Sequence, residues 1–483
     1  MRALIERSEW ANRCRGRNWK SANAGPHRAL PYRRRAIAAI AAGTRRSSPT
    51  LVALASCVGT STEWYDFYIF GFGAAIVFPR VFFPTAGQSG ILLSFAVFWV
   101  GFLARPIGGA LFGHFGDRVG RKSMLIVALL LMGSGTCVLG VLPGYAQIGM
   151  WAPAALIALR FLQGIAVGGE WGGAALMATE HAPDGRRGLF GSFPQMGSPI
   201  GSILASSISA WVAHAYTVNG ELTSEFFRFG WRIPFLASAI LVAIGLVIRI
   251  SVSESPAFER MRSNSAIVAS PLRAALKSHW RTMLLAGGTL FAVNVGYLYG
   301  TQVTAYASGP NSLLHVPVSQ VSAAVAIGGF AYLFSVAVAG WLCDRLGRRY
   351  VAMAGAALAL VAAFPIYMLI DTAHFPAIVL AECIAYTSNG LLYGPLAAIY
   401  CEAFPANVRY TAASVAYHGA AMVGGLAPFL GTALLTYSHG RSWVLSLYIV
   451  VTACISLGSL IGLKYAAQPR NDLSQVSTPA YNR

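Results

Sequence analysis

The sequence predicts an all-α integral membrane protein, with twelve transmembrane helices arranged as two six-helix bundles. Three observations predict it. The 483 residues are 56% hydrophobic and only 11% charged, against about 25% charged in an average soluble domain. Apolar stretches of about 20 residues, the length that crosses a bilayer core, recur along the chain. Two sets of loops also repeat at nearly one offset, which marks an internal duplication.

Residues 1–49 hold twelve of the 36 Lys and Arg, against Glu6 and Glu9 alone. With almost no apolar periodicity they read as a basic, disordered cytoplasmic tail. A start codon placed too far upstream and a transit peptide are the other readings of an Arg-rich, acid-poor segment. Six apolar stretches follow, spans 1 to 6, at roughly 52–78, 88–112, 123–142, 148–179, 188–214 and 230–252. Six more, spans 7 to 12, run at roughly 282–308, 317–343, 350–370, 376–401, 410–437 and 443–466. Each must satisfy its own backbone hydrogen bonds in lipid and is expected as helix. The first bundle is thus 50–252 and the second 282–466. Polar residues 253–281, with Pro256 and Pro271, read as a cytoplasmic linker, and 467–483 as a cytoplasmic tail.

Lys and Arg set the orientation. One set of loops holds Arg118, Arg121, Lys122, Arg186, Arg187, Arg260, Arg262, Arg273, Lys277, Arg281, Arg345, Arg348, Arg349 and Arg409. The opposite set has only Arg80, Arg228, Arg232 and Arg441, with Glu221, Glu225 and Asp371 among them. Both termini are therefore expected inside.

The repeated loops are GHFGDRVGRK after span 2 and GWLCDRLGRR after span 8. They match at Gly113 and Gly340, Asp117 and Asp344, Arg118 and Arg345, Gly120 and Gly347, and Arg121 and Arg348. Glu180 and Arg187 recur as Glu402 and Arg409. Arginine–carboxylate pairs across these helix ends are expected to latch the cytoplasmic face and to break when the halves rock. Charges placed for topology alone explain the Lys and Arg but not the repeated Gly, Asp and Glu.

Ionisable residues within a span are costly and mark function by default. Here they are Glu63 and Asp66 in span 1, Arg105 in span 2, Arg160 and Glu170 in span 4, Glu382 in span 10 and His418 in span 11. Asp66 and Arg160 both lie about midway along their spans. Protonating a carboxylate beside a guanidinium releases the guanidinium to an anionic substrate, which couples proton to substrate. A static ion pair, or no contact, are the alternatives. Glu63, three residues from Asp66, shares its helix face and is a candidate relay. Arg105 and Glu170 are expected as a structural ion pair. Glu382 falls in the outer half of span 10, and His418 reads as packing. Tyr65, Gln163, Gln195, Asn294, Tyr297, Asn389 and Tyr393 supply polar groups at midplane depth for a small polar or carboxylated molecule. Gly109 with Gly113, and Gly164 with Gly168, allow backbones to approach closely.

Several classes are disfavoured. There is no GxxxxGK[ST] phosphate loop, and no polar cluster with a large loop domain of the kind a membrane enzyme needs. Seven scattered cysteines without a CxxC suggest neither disulfides nor a metal site. The expectation is no catalytic residue, no metal and no cofactor beyond protons as coupling ion. The partners are a small molecule and the lipid bilayer, not nucleic acid, and the chain is expected as a monomer.

The G-x3-D-R-x-G-R-[KR] loop, twice present among twelve spans, resembles the signature of the major facilitator superfamily. EWYDF from Glu63, RPIGG from Arg105, RFLQG from Arg160, GGEWGG from Gly168, GWRIPF from Gly230 and ESPAF from Glu254 resemble that superfamily's metabolite:proton symporters. The likeness covers roughly residues 50–466 and looks closest to the shikimate-like branch. It implies import of an organic acid (shikimate-, 2-oxoglutarate- or citrate-like) by proton symport across the bacterial inner membrane. Proline or betaine uptake and proton-coupled export are the alternatives, and a transporter-like sensor without flux is a third. Related proton-coupled sugar porters use an Asp in span 1 and an Arg in span 4, places that Asp66 and Arg160 match. One departure is Cys343 before Asp344, where the first copy has Gly116.

Overall fold

The computed structural model describes residues 48–463, except 120, 220, 253, 255–270, 310–311 and 406–407. The side chains of residues 88, 114, 116–119, 121 and 271 also lie outside it. The tails read at 1–49 and 467–483 fall outside the described residues, apart from the capped start of the first helix. There Ser48 accepts a hydrogen bond from the Leu51 N–H at 3.2 Å, and Pro49 takes a first-turn position where its missing donor costs nothing.

Among the described residues, ten helices are long and apolar enough to cross a membrane. The other two expected spans are helices Pro49–Phe72 and Arg187–Ala215, of 24 and 29 residues. They are long enough but rich in Ser, Thr and Gly. Their packing explains why: span 5 lies between spans 1 and 8, and span 1 is buried along nearly its whole length. Little of either meets lipid, so polarity is tolerated.

Helices Gly90–Val119 and Arg121–Val141 form spans 2 and 3. Span 6 is Arg232–Ser251, span 8 Val318–Leu346, span 9 Arg348–Ile370 and span 12 Trp443–Gly462. The remaining spans are broken or contain a wide turn. Span 4 divides at Gly169 into Trp151–Gly168 and Glu170–Glu180. Span 10 divides at Gly394 and Pro395 into Phe375–Tyr393 and Leu396–Ala403. Span 11 divides at Gly425 into Arg409–Gly424 and Ala427–Tyr437. Span 7 runs through Pro271–Thr289, Phe291–Asn294, a π turn at Leu298–Gln302, and Val303–Ser308. Span 1 has its own π turn at Gly73–Val77 before Phe78–Val81. Broken helices at mid-membrane are tolerated where they face protein or a cavity, which places these breaks around the centre of the bundle.

The start of span 7 differs most from expectation. The helix of span 7 begins at Pro271, inside the stretch read as linker, because Leu272–Leu285 already carries apolar residues at helical spacing between its cations.

Candidate functional site

Spans 2 and 4 cross on glycine. A Cβ at Gly164 would fall 2.1 Å from the Gly101 carbonyl oxygen, at Gly108 1.9 Å from that of Ile165, and at Gly168 2.2 Å from that of Arg105. Only glycine permits backbones this close. The crossing brings Arg105 and Arg160 into one interior space. Both are fully buried, at 0% and 1% exposure.

Both guanidiniums stack on Phe67 of span 1, Arg105 at 4.2 Å and Arg160 at 4.4 Å from the ring centre. Arg160 also lies 4.1 Å from the Phe70 ring and Arg105 4.3 Å from that of Phe102. Gly101 makes the room: a Cβ there would stand 2.7 Å from Arg160 Nε. A desolvated cation–π contact contributes about 2 kcal/mol. An isolated buried charge costs several kcal/mol, so the rings offset only part of that cost. Nε and Nη2 of each arginine have no hydrogen-bond partner. The site is short of hydrogen-bond acceptors.

Asp66 is joined to Arg160 through neutral groups. Thr136 of span 3 donates to Asp66 Oδ2 at 2.5 Å, Gln163 Nε2 donates to Thr136 Oγ1 at 2.8 Å, and Arg160 Nη1 reaches Gln163 Oε1 at 3.5 Å. No ion pair joins Asp66 to Arg160 among the described residues, which corrects the expected direct contact. Asp66 Oδ1 has no partner.

The expected pair of Arg105 with Glu170 is also corrected. Arg105 Nη2 faces Glu63 Oε1 at 3.6 Å, and Glu170 is bonded to Arg249 of span 6. The cause is Gly59, where a Cβ would stand 1.9 Å from Arg249 Nη2. That gap in span 1 lets Arg249 reach Glu170 and leaves Arg105 to Glu63. Among the described residues, three buried acids and three buried arginines therefore share the interior of the first six spans.

The other expected pocket residues divide. Tyr297 stacks on Trp64 with ring centres 5.8 Å apart, and meets Phe102 edge-on at 5.0 Å. Tyr393 is 6.3 Å from Trp64 and shares a hydroxyl contact of 3.0 Å with Tyr417. These join the aromatic wall around Phe67. Gln195 is held by Trp171 Nε1 at 3.0 Å and donates to the Tyr393 carbonyl at 3.3 Å. Tyr65 instead donates to the Pro234 carbonyl at 2.6 Å, so its hydroxyl is committed to the contact with span 6. Asn294 donates to Ala420 O at 3.3 Å and Asn389 to Val293 O at 2.8 Å, fastening the broken span 7 to spans 11 and 10. Asn389 Oδ1 remains without a partner.

The second repeated loop joins the two halves. Asp344 at the end of span 8 accepts hydrogen bonds from the Gly188 and Leu189 N–H groups at 2.8 and 2.9 Å, in the first turn of span 5 begun by Arg187. A carboxylate there also meets the positive end of the helix dipole. Arg348 is bonded to Glu402 and lies 3.7 Å from Asp344. Gly340 permits the approach, since a Cβ there would stand 2.2 Å from Ser192 Oγ, and Gly347 ends span 8 with φ of 97°. Arg345 departs from the expected latch by stacking on Trp341 at 4.0 Å, and Arg409 donates to the Phe404 carbonyl at 3.0 Å. In the first copy Gly113 faces Tyr410, while Gly120 and the side chains of Asp117, Arg118 and Arg121 lie outside the described residues. Glu180 closes the second segment of span 4.

Sequence reading missed Trp64, Phe67, Phe102, Thr136 and Arg249. The aromatic run from Trp64 to Phe70 was a signal for the first two. Thr136 had none, because a lone Thr in a span ordinarily bonds its own helix, as this one also does to Met132 O.

Comparison with known proteins agrees with this architecture. Residues 52–277 match the family described as sugar (and other) transporter, and residues 290–480 the Major Facilitator Superfamily. The chain is 40% identical over 425 residues to the inner membrane metabolite transport protein YhjE of Escherichia coli K12, covering 86% of this chain and 94% of that one. It is 35% identical to the shikimate transporter of the same organism, covering 85% and 94%. A crystallised proton:xylose symporter, XylE, superposes with a TM-score of 0.66 at 17% identity, over 86% of this chain and 95% of that one, and shares the fold.

Proposed function

Because the chain belongs to the metabolite symporters of the major facilitator superfamily, we propose that it imports a small organic acid together with a proton by alternating access. One observation carries this reading. Two buried guanidiniums with free N–H donors share Phe67, and a carboxylate is tied to one of them through Thr136 and Gln163.

Charge balance supplies the coupling. With Glu63, Asp66 and Glu170 ionised, the three arginines are matched. Protonating Asp66 leaves Arg160 in excess by one, and a carboxylate between Arg105 and Arg160 restores neutrality. Proton without anion, or anion without proton, leaves an unmatched charge in a low-dielectric interior, which costs several kcal/mol. The two therefore bind together. Tyr297, Tyr393 and Trp64 form the wall against which the rest of the substrate lies, and Gln163 and Gln195 orient polar groups. The bond of Asp344 to the start of span 5, with Arg348 and Glu402, closes the cytoplasmic side and opens when the halves rock. The protein works as a monomer in the bacterial inner membrane with both termini inside, and uses no cofactor besides the proton.

Uptake into proteoliposomes under an inside-alkaline pH gradient tests this, with labelled shikimate, 2-oxoglutarate, citrate and betaine. Gradient-dependent accumulation of an acid, collapsed by a protonophore, is expected. Accumulation of betaine alone would shift the role to osmolyte uptake, and no gradient-dependent uptake of any of them would count against import.

A further inference from the structure

The other buried carboxylate lies in the second half. Glu382 of span 10 is 0% exposed, and neither of its oxygens has a hydrogen-bond partner. No cation pairs with it among the described residues. Its backbone and Cβ press on Gly328 of span 8, where a Cβ would stand 2.8 Å from Glu382 Cβ. The titratable groups within electrostatic reach of it are phenols, Tyr68 from span 1, Tyr299 from span 7, Tyr367 from span 9 and Tyr386 one turn along its own helix, together with the adjacent Cys383. Tyr386 in turn stacks on Tyr332 of span 8 at 5.1 Å. An ionised carboxylate with neither cation nor donor is the costliest arrangement a membrane interior offers. A neutral carboxyl that carries a proton avoids that cost.

Two features connect that proton to the outside and to the rocking motion. A cavity of about 490 Å³ is lined by Gln302, Tyr306, Ser312 and Thr436. Gln302 lies one turn beyond Tyr299 on span 7, and the Tyr306 ring is 6.1 Å from Tyr367, so each of these phenols neighbours a residue that lines the cavity. On the other side, Tyr386 bridges the halves. Its hydroxyl is 3.4 Å from Ser202 Oγ of span 5, and Tyr68 packs with it over Gly300. Separation of the halves would part Ser202 and Tyr68 from Tyr386 and open a way for water to Glu382.

We propose that Glu382 is a second proton-binding site of the transport cycle, loaded from the cavity beside spans 7 and 11 and emptied when the halves open on the cytoplasmic face. The inference rests on the transporter reading above but adds a proton that the Asp66 site does not account for. Each cycle then moves one positive charge beyond the proton that balances the acid. The membrane potential contributes to accumulation, at about 2.3 kcal/mol per charge per 100 mV.

The test needs no substrate. Infrared spectra are recorded on the full chain reconstituted in lipid, as wild type, Glu382→Gln and Glu382→Asp. At neutral pH the wild type should show a carbonyl band of a protonated carboxyl that Glu382→Gln lacks and Glu382→Asp shifts. In Arg348→Ala, which releases Glu402 and unlatches the cytoplasmic face, that band should vanish as pH is raised through a range where the wild type keeps it. Identical wild-type and Glu382→Gln spectra would overturn the proposal. A band equally persistent in Arg348→Ala would also overturn it, by showing a permanently neutral packing residue. Asp66→Asn should leave the Glu382 band in place, so failure of the Asp66 coupling reading remains separable from failure of this one.

Discussion

The two halves of the chain share their backbone devices and differ in their charges. Spans 1 and 7 both carry a π turn, Gly73–Val77 and Leu298–Gln302, and spans 4 and 10 both break about ten residues before a repeated glutamate, Glu180 or Glu402. Yet among the described residues the first half holds three buried acids and three buried arginines, whereas the second buries Glu382 and His418 amid tyrosines. A duplicated scaffold preserves the shape that lets helices rock. Chemistry needs only one copy, so charge diverges. On this account the first half binds proton and anion, and the second supplies aromatic walls and a further proton.

The comparison breaks most visibly at Arg249. Arg249→Met leaves Glu170 as an uncompensated buried charge, which should destabilise the protein by about 3–5 kcal/mol. A large fall in the unfolding temperature in detergent is expected. Adding Glu170→Leu should recover most of it, because removing both partners is far less costly than removing one. A double variant no better than the single would deny the pairing.

Arg160→Lys comes next. An ammonium cannot reproduce the flat guanidinium on Phe67 or its paired donors. Apparent affinity for the transported acid should fall roughly ten- to a hundredfold, about 1.4–2.8 kcal/mol. An unchanged affinity would remove Arg160 from the site. Gly101→Ala should act more gently. The new Cβ, 2.7 Å from Arg160 Nε, must push a flexible side chain aside at a cost of about 1 kcal/mol. Transport should slow while the protein stays folded, and wild-type kinetics would show that Arg160 has slack. The smallest effect belongs to the latch. Cys343 is buried beside Gly188, where a Cβ would stand 2.3 Å from its sulfur. Arg348→Ala should speed its labelling by a maleimide from the cytoplasmic side severalfold, and an unchanged rate would mean the latch does not hold that face closed.

Much of the fold was legible from apolar length alone, which located ten spans plainly. Spans 1 and 5 are more polar, yet their apolar stretches were still long enough to be read as spans. The repeated loops singled out Asp344, Arg348 and Glu402, which the structure brings into contact, because helix ends and turn glycines leave local patterns. Partner choice was not legible. Whether Arg105 meets Glu63 or Glu170 depends on helix rotation and on the slot at Gly59, neither of which leaves a trace in span length or charge. Thr136 likewise gains its role only from lying opposite Asp66 across two helices. Arg249 sat at the end of an apolar stretch and drew no notice, although it completes the charge balance.

The central claim is that proton and acid bind together because Asp66 and Arg160 share one charge balance. It is tested most directly by following external pH while the acid identified by the uptake screen is added to lightly buffered proteoliposomes. The account predicts that the wild type makes the outside alkaline as acid enters. Asp66→Asn should still exchange labelled for unlabelled acid, with that pH change and net accumulation greatly reduced. Acid entry without proton uptake in the wild type, or equal loss of exchange and accumulation in Asp66→Asn, would contradict it.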